Sequence, residues 1–319
     1  MTMNLLLRLA VVVGVAAVAL YASRPYFEGC ICTDAPDLTG RVVVVTGATE
    51  GLGLETARRL GQLGADLLLP CRNLTKGHKV ADDLRSSGVQ SVTMTTLDLA
   101  SLDSVRKGAE EINAKAPNGV DVLINNAGFW PAHYEKTVDG FEKTFQVNHL
   151  SVFLFTNLLV PRMRKGARVV VLSSGLNKFG SYDVENLQFE KETFNGDKAY
   201  RNSKVLNIMF ANELNRQLAG QGVTVNSVHP GVILTKLHRE DYAHRPVWRF
   251  LHQTAIALFG KSSPKQGAQT SIYAAVSPAL EGQGGLYLSD CAPSAPNAIA
   301  LDEVAAQQLW HVSAKLAGL

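Results

Sequence analysis

Hydrophobic residues are spaced differently in successive parts of this chain. From Leu5 to Ala22 they form a nearly unbroken run, with Arg8 its one charged residue. A helix needs about 20 such residues to cross a bilayer, with a lower limit of about 17. An arginine near the helix end can keep its charged head at the interface. Residues 1–23 are therefore read as an uncleaved single-pass anchor. Ala17-Val18-Ala19 also offers small residues for signal cleavage, so a secreted chain is the competing reading. Arg8 and Arg24 nearly balance and leave the orientation open. Residues 24–39, with Arg24, Pro25, Gly29 and Pro36 and few periodic apolar positions, read as a linker.

Beyond Gly40 the pattern changes. Arg41–Thr46 is a short β-branched run without alternation, as expected for a strand buried on both faces of a parallel sheet. Similar runs recur at Ala65–Leu69, Ser91–Leu97, Val120–Ile124, Ala167–Leu172, Val223–Val228 and Gly285–Leu288. Helix-like periodicity fills the gaps at Leu52–Leu63, Lys76–Ser87, Leu102–Ala114, Gly140–Arg164, Tyr200–Ala219 and Lys265–Ala275. Strands alternating with helices predict right-handed crossovers and an α/β, Rossmann-type doubly wound parallel sheet. Residues 40–319 are read as one catalytic domain behind the N-terminal membrane anchor.

Composition narrows the partners. Hydrophobic residues make up 46% of the chain, ample for a large core, and the net charge of +3 carries no long basic run that would fit nucleic acid. Cys30, Cys32, Cys71 and Cys291 are too few and scattered to predict a disulfide framework, and no metal-ligand spacing is present. Cys30 and Cys32 read as free thiols, with S-acylation beside the anchor as the alternative.

Thr46-Gly47-Ala48-Thr49-Glu50-Gly51-Leu52-Gly53 follows the first strand and opens a helix. Glycines let the backbone approach a pyrophosphate while helix N–H groups point at the anion. The spacing is Gly-x3-Gly-x-Gly rather than Gly-x-Gly-x-x-Gly. At the end of the second strand, Leu69-Pro70-Cys71-Arg72-Asn73 lacks the acid that would bond a ribose 2′-OH. Arg72 suits a 2′-phosphate instead, which predicts NADP(H) over NAD(H). Asp98-Leu99 and Asn125-Asn126-Ala127-Gly128 end the third and fourth strands, at the edge where ligands bind in such sheets. Asn125 is expected both to line the site and to brace backbone.

Tyr200 and Lys204 begin a helical stretch as i,i+4 neighbours. An ammonium beside a phenol stabilises tyrosinate and makes proton exchange with an alcohol or carbonyl oxygen practicable. Ser174 ends the preceding strand, and Asn148 lies within Gln146-Val147-Asn148-His149-Leu150. His149 is read as structural rather than as a base.

Together, Thr46–Gly53, Asn125–Gly128, Asn148, Ser174, Tyr200/Lys204 and Pro230-Gly231 resemble the short-chain dehydrogenase/reductase family over residues 40–290. The resemblance implies that Tyr200 exchanges the proton, Ser174 bonds the substrate oxygen, Lys204 holds the nicotinamide ribose and Asn148 supports a relay water. It also implies that Pro230, Gly231 and Thr235 wall the nicotinamide carboxamide. The anchor, Cys71-Arg72, Val147–Leu150 and the long gap between Ser174 and Tyr200 look like the membrane-bound retinol dehydrogenase branch, which implies an endoplasmic-reticulum location. The stretch Ser271–Tyr287 is also similar to a member of that branch associated with polyprenol and dolichol metabolism. Two departures are Ser151-Val152, where the branch usually has Gly-His, and Thr49-Glu50, where Asn-Thr is common.

Between Thr235 and Pro264 the pattern breaks into an insertion with Tyr242, Trp248, Phe250, Leu251, Ile256, Leu258 and Phe259, mixed with Arg245, Arg249 and His252. It reads as an amphipathic lid that touches lipid and accepts a hydrophobic substrate, or else as ordinary surface-helix packing. The leading expectation is a retinoid or polyprenoid alcohol and its carbonyl, with a steroid or fatty ketone as runner-up. A non-catalytic, dinucleotide-sensing membrane scaffold is the reading from another class. A homo-oligomer is left open.

Overall fold

The computed structural model describes residues 28–233, 254, 260–261 and 263–319. The expected anchor, Thr235 and most of the expected lid, including all its named aromatic and basic residues, lie outside the described residues. Among the described residues no helix is long and apolar enough to cross a membrane.

Seven strands form the parallel part of the sheet: β1 (Val42–Val45), β2 (Asp66–Cys71), β3 (Ser91–Thr96), β4 (Val120–Asn125), β5 (Met163–Leu172), β6 (Thr224–His229) and β7 (Tyr287–Ser289). A two-residue strand, β8 (Ala292–Pro293), closes the edge antiparallel to β7. The order is β3-β2-β1-β4-β5-β6-β7-β8. Direction of winding therefore reverses between β1 and β4, which opens a crevice at their carboxyl ends.

The helices α1 (Gly51–Gln62), α2 (Leu74–Ser86), α3 (Leu102–Lys115), α4 (Ser151–Leu159), α5 (Gly196–Gln217), α6 (Gln269–Val276) and α7 (Glu303–Ala317) cover both faces. Successive β1 residues feed different layers. Val43 and Val45 join Ala57, Leu60 and Ile272 on one side, while Val44 joins Ile112, Phe153 and Leu214 on the other. A strand buried on both faces needs apolar residues at every position, which is why β1 shows no alternation.

Several expectations are corrected. The helix expected over Gly140–Arg164 is broken into a turn at Lys143–Phe145, a π-helical turn at Gln146–Leu150, α4 and a 3-10 turn at Val160–Arg162. Its last two positions already belong to β5. The strand expected to begin at Gly285 begins at Tyr287, and neither β8 nor α7 was expected.

The described part of the expected linker is docked on the domain. Leu38 and Cys32 are buried, Leu38 N donates to Leu63 O at 2.8 Å, and Cys32 N donates to Gln269 Oε1 at 3.0 Å. Cys30 is not a free thiol: it forms a disulfide with Cys291 across 261 residues of sequence. Cys32 and Cys71 are the free, buried cysteines.

Candidate functional site

The glycine turn is sewn to the end of β4. Thr46 Oγ1 accepts from Asn126 N and Ala127 N, both at 3.0 Å, while Asn126 Nδ2 donates to Thr46 O at 2.9 Å and Gly47 O at 3.3 Å. Gly47 and Gly51 both sit in the left-handed region, at φ of 67° and 59°. A Cβ on Gly53 would lie 2.5 Å from Gly47 O and 2.4 Å from Asn126 Nδ2, so only glycine fits. Helix α1 starts here, and its N-cap Glu50 makes no side-chain cap bond. First-turn N–H groups without a side-chain cap, above a backbone that no Cβ obstructs, fit a pyrophosphate. Thr49 and Leu52 are half-buried beside the turn.

Arg72 is exposed just past the end of β2. Nearby, Lys76 Nζ pairs with Glu50 Oε2 at 2.7 Å, which offsets the one carboxylate of the glycine turn. Asp98 folds its own loop, its Oδ1 accepting from Ala100 N at 2.9 Å. The Leu99 carbonyl accepts from Ser151 Oγ at 2.7 Å, which ties the β3 end to α4. Buried Asn125 donates to Thr156 Oγ1 at 2.8 Å, a bracing role.

Three candidate groups for the chemistry meet at the end of β5. The Ser174 hydroxyl lies beside the Tyr200 phenol, and Lys204 Nζ lies 5.4 Å from the Tyr200 ring centroid. Helix α5 is capped by Asn195, whose side chain accepts from Lys198 N, and it turns Tyr200, Ser203, Lys204 and Asn207 inward. Two bonds fix its register on β5: Ser173 Oγ donates to Lys204 O at 2.7 Å, and Lys204 Nζ to Leu172 O at 3.2 Å. A side chain at Gly128 would meet Asn148 Oδ1 at 3.2 Å and Lys204 Nζ at 3.5 Å, so the β4 loop closes over the same spot.

Burial governs the electrostatics. Tyr200 is pushed up to about 12 by desolvation, against which the Ser174 hydrogen bond works. Lys204 is pushed down to about 8 by desolvation. The expectation that Lys204 depresses the phenol is thus corrected for the protein's own groups, because loss of water disfavours both charged forms.

Asn148 stands in the π-helical turn. Its Oδ1 accepts from Phe129 N and its Nδ2 donates to Phe129 O, both at 3.0 Å, with Ser203 Oγ at 3.1 Å from Nδ2. These bonds engage the side chain with protein, so the Asn148 amide braces the loop after β4. His149 is fully buried, bonded to Ser313 Oγ of α7 at 2.9 Å, and pushed down to about 3 by desolvation.

On the far side, Pro230 and Gly231 are half-buried after β6. His229 Nδ1 accepts from Gly175 N at 2.9 Å, joining this wall to the Ser174 loop. Lys261, 4% exposed at its side chain, pairs with Asp290 at 2.9 Å, and Cys30 N reaches the same carboxylate at 3.3 Å. Sequence reasoning missed Lys261, the disulfide and Trp130, which stacks on Tyr200. No local pattern marks any of them. A cavity of about 200 Å³ lies elsewhere, between Glu142, Tyr182, Phe189 and Leu206, and none of Asn148, Ser174, Tyr200 or Lys204 lines it.

The family described as short chain dehydrogenase matches residues 41–246. Human retinol dehydrogenase 11 is 41% identical over 299 residues, 93% of this chain and 92% of its own length. Mouse retinol dehydrogenase 12 is 40% identical over the same shares. Human retinol dehydrogenase 14 is 41% identical over 88% of this chain and 87% of its own. Among solved structures, an uncharacterised protein from Mycobacterium paratuberculosis has TM-score 0.74 and 32% identity, covering 91% of this chain and 98% of its own. A protein from Beutenbergia cavernae, described as an NAD(P)-dependent gluconate 5-dehydrogenase and solved with bound NADP, has TM-score 0.65 and 25% identity over 81% and 97%.

Proposed function

Because the chain belongs to the short-chain dehydrogenases, in their retinol dehydrogenase-like branch, we propose that it interconverts a hydrophobic alcohol and its aldehyde or ketone using NADP(H). The observation that carries the chemistry is the grouping of Ser174, Tyr200 and Lys204 at the end of β5, with Lys204 Nζ 5.4 Å from the Tyr200 ring centroid.

In the reductive direction the Tyr200 phenol gives its proton to the carbonyl oxygen, and Ser174 donates a hydrogen bond to that same oxygen. The nicotinamide, when bound, supplies the hydride to the carbonyl carbon. Carbonyl, hydride and proton together make the alcohol, and oxidation reverses each transfer. Lys204, held by Leu172 O, supplies positive charge against tyrosinate while the proton is away. Asn148 keeps the Phe129 loop pressed toward α5. Gly47, Thr49, Gly51, Leu52 and Gly53 would cradle the pyrophosphate. Asp98, Leu99, Asn125, Ala127 and Gly128 would line the crevice beside it, with Pro230 and Gly231 walling the nicotinamide.

Arg72 supports the choice of NADP(H), since the tip of β2 offers a guanidinium and no carboxylate. Charge-assisted bonds to a phosphate contribute about 1.5–3 kcal/mol, so Arg72→Ala should raise the KM for NADPH roughly 10- to 100-fold. The KM for NADH should stay put. A wild-type preference for NADH in side-by-side kinetics sinks this part of the reading.

For the substrate, the names of the relatives and the apolar insertion after Thr235 favour a retinoid or polyprenoid, and the run Leu5–Ala22 supports delivery from a membrane. A turnover screen of all-trans-retinal, a polyprenal and a steroid ketone, with detergent-solubilised full-length protein, ranks these substrates. Preference for the steroid ketone would replace the isoprenoid reading.

A further inference from the structure

The Tyr200 ring has a second neighbour that the chemistry above does not use. Trp130 stacks on it with ring centroids 4.1 Å apart and planes 22° from parallel. The Trp130 indole N–H donates to Asp197 Oδ1 at 3.2 Å, one turn earlier on the same helix α5. An indole bonded at its edge and stacked on its face has little rotational freedom left, and such aromatic pairs contribute about 0.5–1.5 kcal/mol beyond their burial.

The backbone on either side of Trp130 is held as well. Before it, Phe129 has both its N–H and its C=O bonded to the Asn148 amide, and Lys143 Nζ lies 5.4 Å from the Phe129 ring. After it, Pro131 is buried against the start of α5. There a Cβ on Gly196 would come within 2.3 Å of Pro131 O, so the loop and the helix touch backbone to backbone. A tryptophan pinned on both flanks, and again at its own side chain, is built to hold something still. What it touches is the phenol.

We propose that Trp130 is a positioning residue for this reaction: its indole, locked between Asn148 and the start of α5, fixes the plane of the Tyr200 ring and so the direction in which its hydroxyl meets the substrate oxygen. This rests on the reading that Tyr200 exchanges the proton. It gives the Asn148 side chain a purpose that reaches the phenol through the loop.

The test measures kcat and KM for Trp130→Ala and Trp130→Phe in full-length protein, with NADPH and whichever of retinal, a polyprenal or a steroid ketone is turned over best. The NADPH dissociation constant is measured alongside by fluorescence. Misplacing a reacting group by about 1 Å costs on the order of 100-fold, so Trp130→Ala should lower kcat about 10- to 100-fold with KM and NADPH affinity nearly unchanged. Trp130→Phe keeps a stacking ring and should recover most of that loss. Three results overturn the proposal: an unchanged kcat in Trp130→Ala, an equal loss in both variants, or an effect confined to KM. Should Trp130→Ala not bind NADPH, Asp197→Ala takes its place. That change removes the acceptor of the indole N–H from an exposed position, and a kcat equal to wild type would overturn the proposal. Tyr200→Phe, run in parallel, separates the two claims. Full turnover there defeats the parent reading, whereas no turnover there together with a fully active Trp130→Ala defeats only this inference.

Discussion

Tyr200 and Lys204 illustrate a competition that recurs at other buried residues of this protein. Pairing a phenol with an ammonium lowers the pKa of the phenol, yet removing both from water raises it, and here desolvation dominates. Tyr200 is therefore held as the protonated phenol across the neutral range, the form needed to reduce a carbonyl. Residue types and their i,i+4 spacing were legible in the sequence. The sign of the shift was not, because burial is a property of the assembled fold. The same desolvation acts on His149 and His229, pushed down to about 3 and about 4 from an ordinary 6.5. Below pH 6.5 the unfolded chain binds protons that the native state refuses, so stability falls as pH drops from 6.5 toward those values. Each histidine contributes about 1.4 kcal/mol per pH unit within its window. Urea unfolding at pH 7 and pH 5 should show a clear loss at the lower pH, smaller in His149→Asn. Identical midpoints at both pH values would contradict these shifts. Gly53 makes a steric prediction. Gly53→Ala sets a methyl against Gly47 O at 2.5 Å, so NADPH affinity should fall by at least an order of magnitude in titration, as the turn must open to admit it.

Among the elements, those with continuous apolar runs were legible and those whose ends carry polar residues were not. β5 begins at Met163 because Met163 pairs with Val120, yet Arg164, Lys165 and Gly166 extend beyond the core and hide the strand from a hydrophobicity reading. The break at Gln146–Leu150 was equally hidden, since a π-helical turn leaves the apolar spacing nearly intact while rotating Asn148 toward the Phe129 loop. Such turns recur at functional sites. Helix α7 closes the layer opposite α1 through an aromatic cluster: Phe153 lies 4.8 Å from Trp310 and 5.5 Å from Phe210, ring centroid to centroid. Phe153→Ala should destabilise the fold by about 3–5 kcal/mol in chemical denaturation, and a cost below about 1 kcal/mol would mean that the layer repacks. The Cys30–Cys291 bond was illegible because connectivity does not follow from cysteine spacing. It clamps the docked N-terminal segment to the end of the β7–β8 turn, where Asp290 and Lys261 meet. Cys30→Ser should lower stability by about 2–5 kcal/mol. Finding both thiols free to alkylation in the denatured, unreduced protein would contradict the bond.

At the scale of the whole molecule, the candidate site lies where the winding of the sheet reverses. The carboxyl ends of β1, β4, β5 and β6 converge there, bringing together the glycine turn, the Asn125–Gly128 loop, Ser174 with Tyr200 and Lys204, and the Pro230-Gly231 wall. That convergence was legible because strands alternating with helices imply a doubly wound parallel sheet, whose ligand-binding groups lie at the carboxyl ends of its strands. The brace around it was not, since the contacts of Trp130, of Lys261 and of the Asn148 amide are tertiary and have no period in sequence. The central claim is a proton transfer by Tyr200 coupled to NADPH oxidation. It is tested most directly by following NADPH absorbance with retinal, a polyprenal and a steroid ketone in turn, comparing wild-type enzyme with Tyr200→Phe. The wild type should consume NADPH steadily with at least one of these carbonyls, and the variant should lose roughly 10²- to 10⁴-fold of that rate with NADPH still bound. Equal rates in the two proteins, or no consumption by the wild type with any of the three, would contradict it.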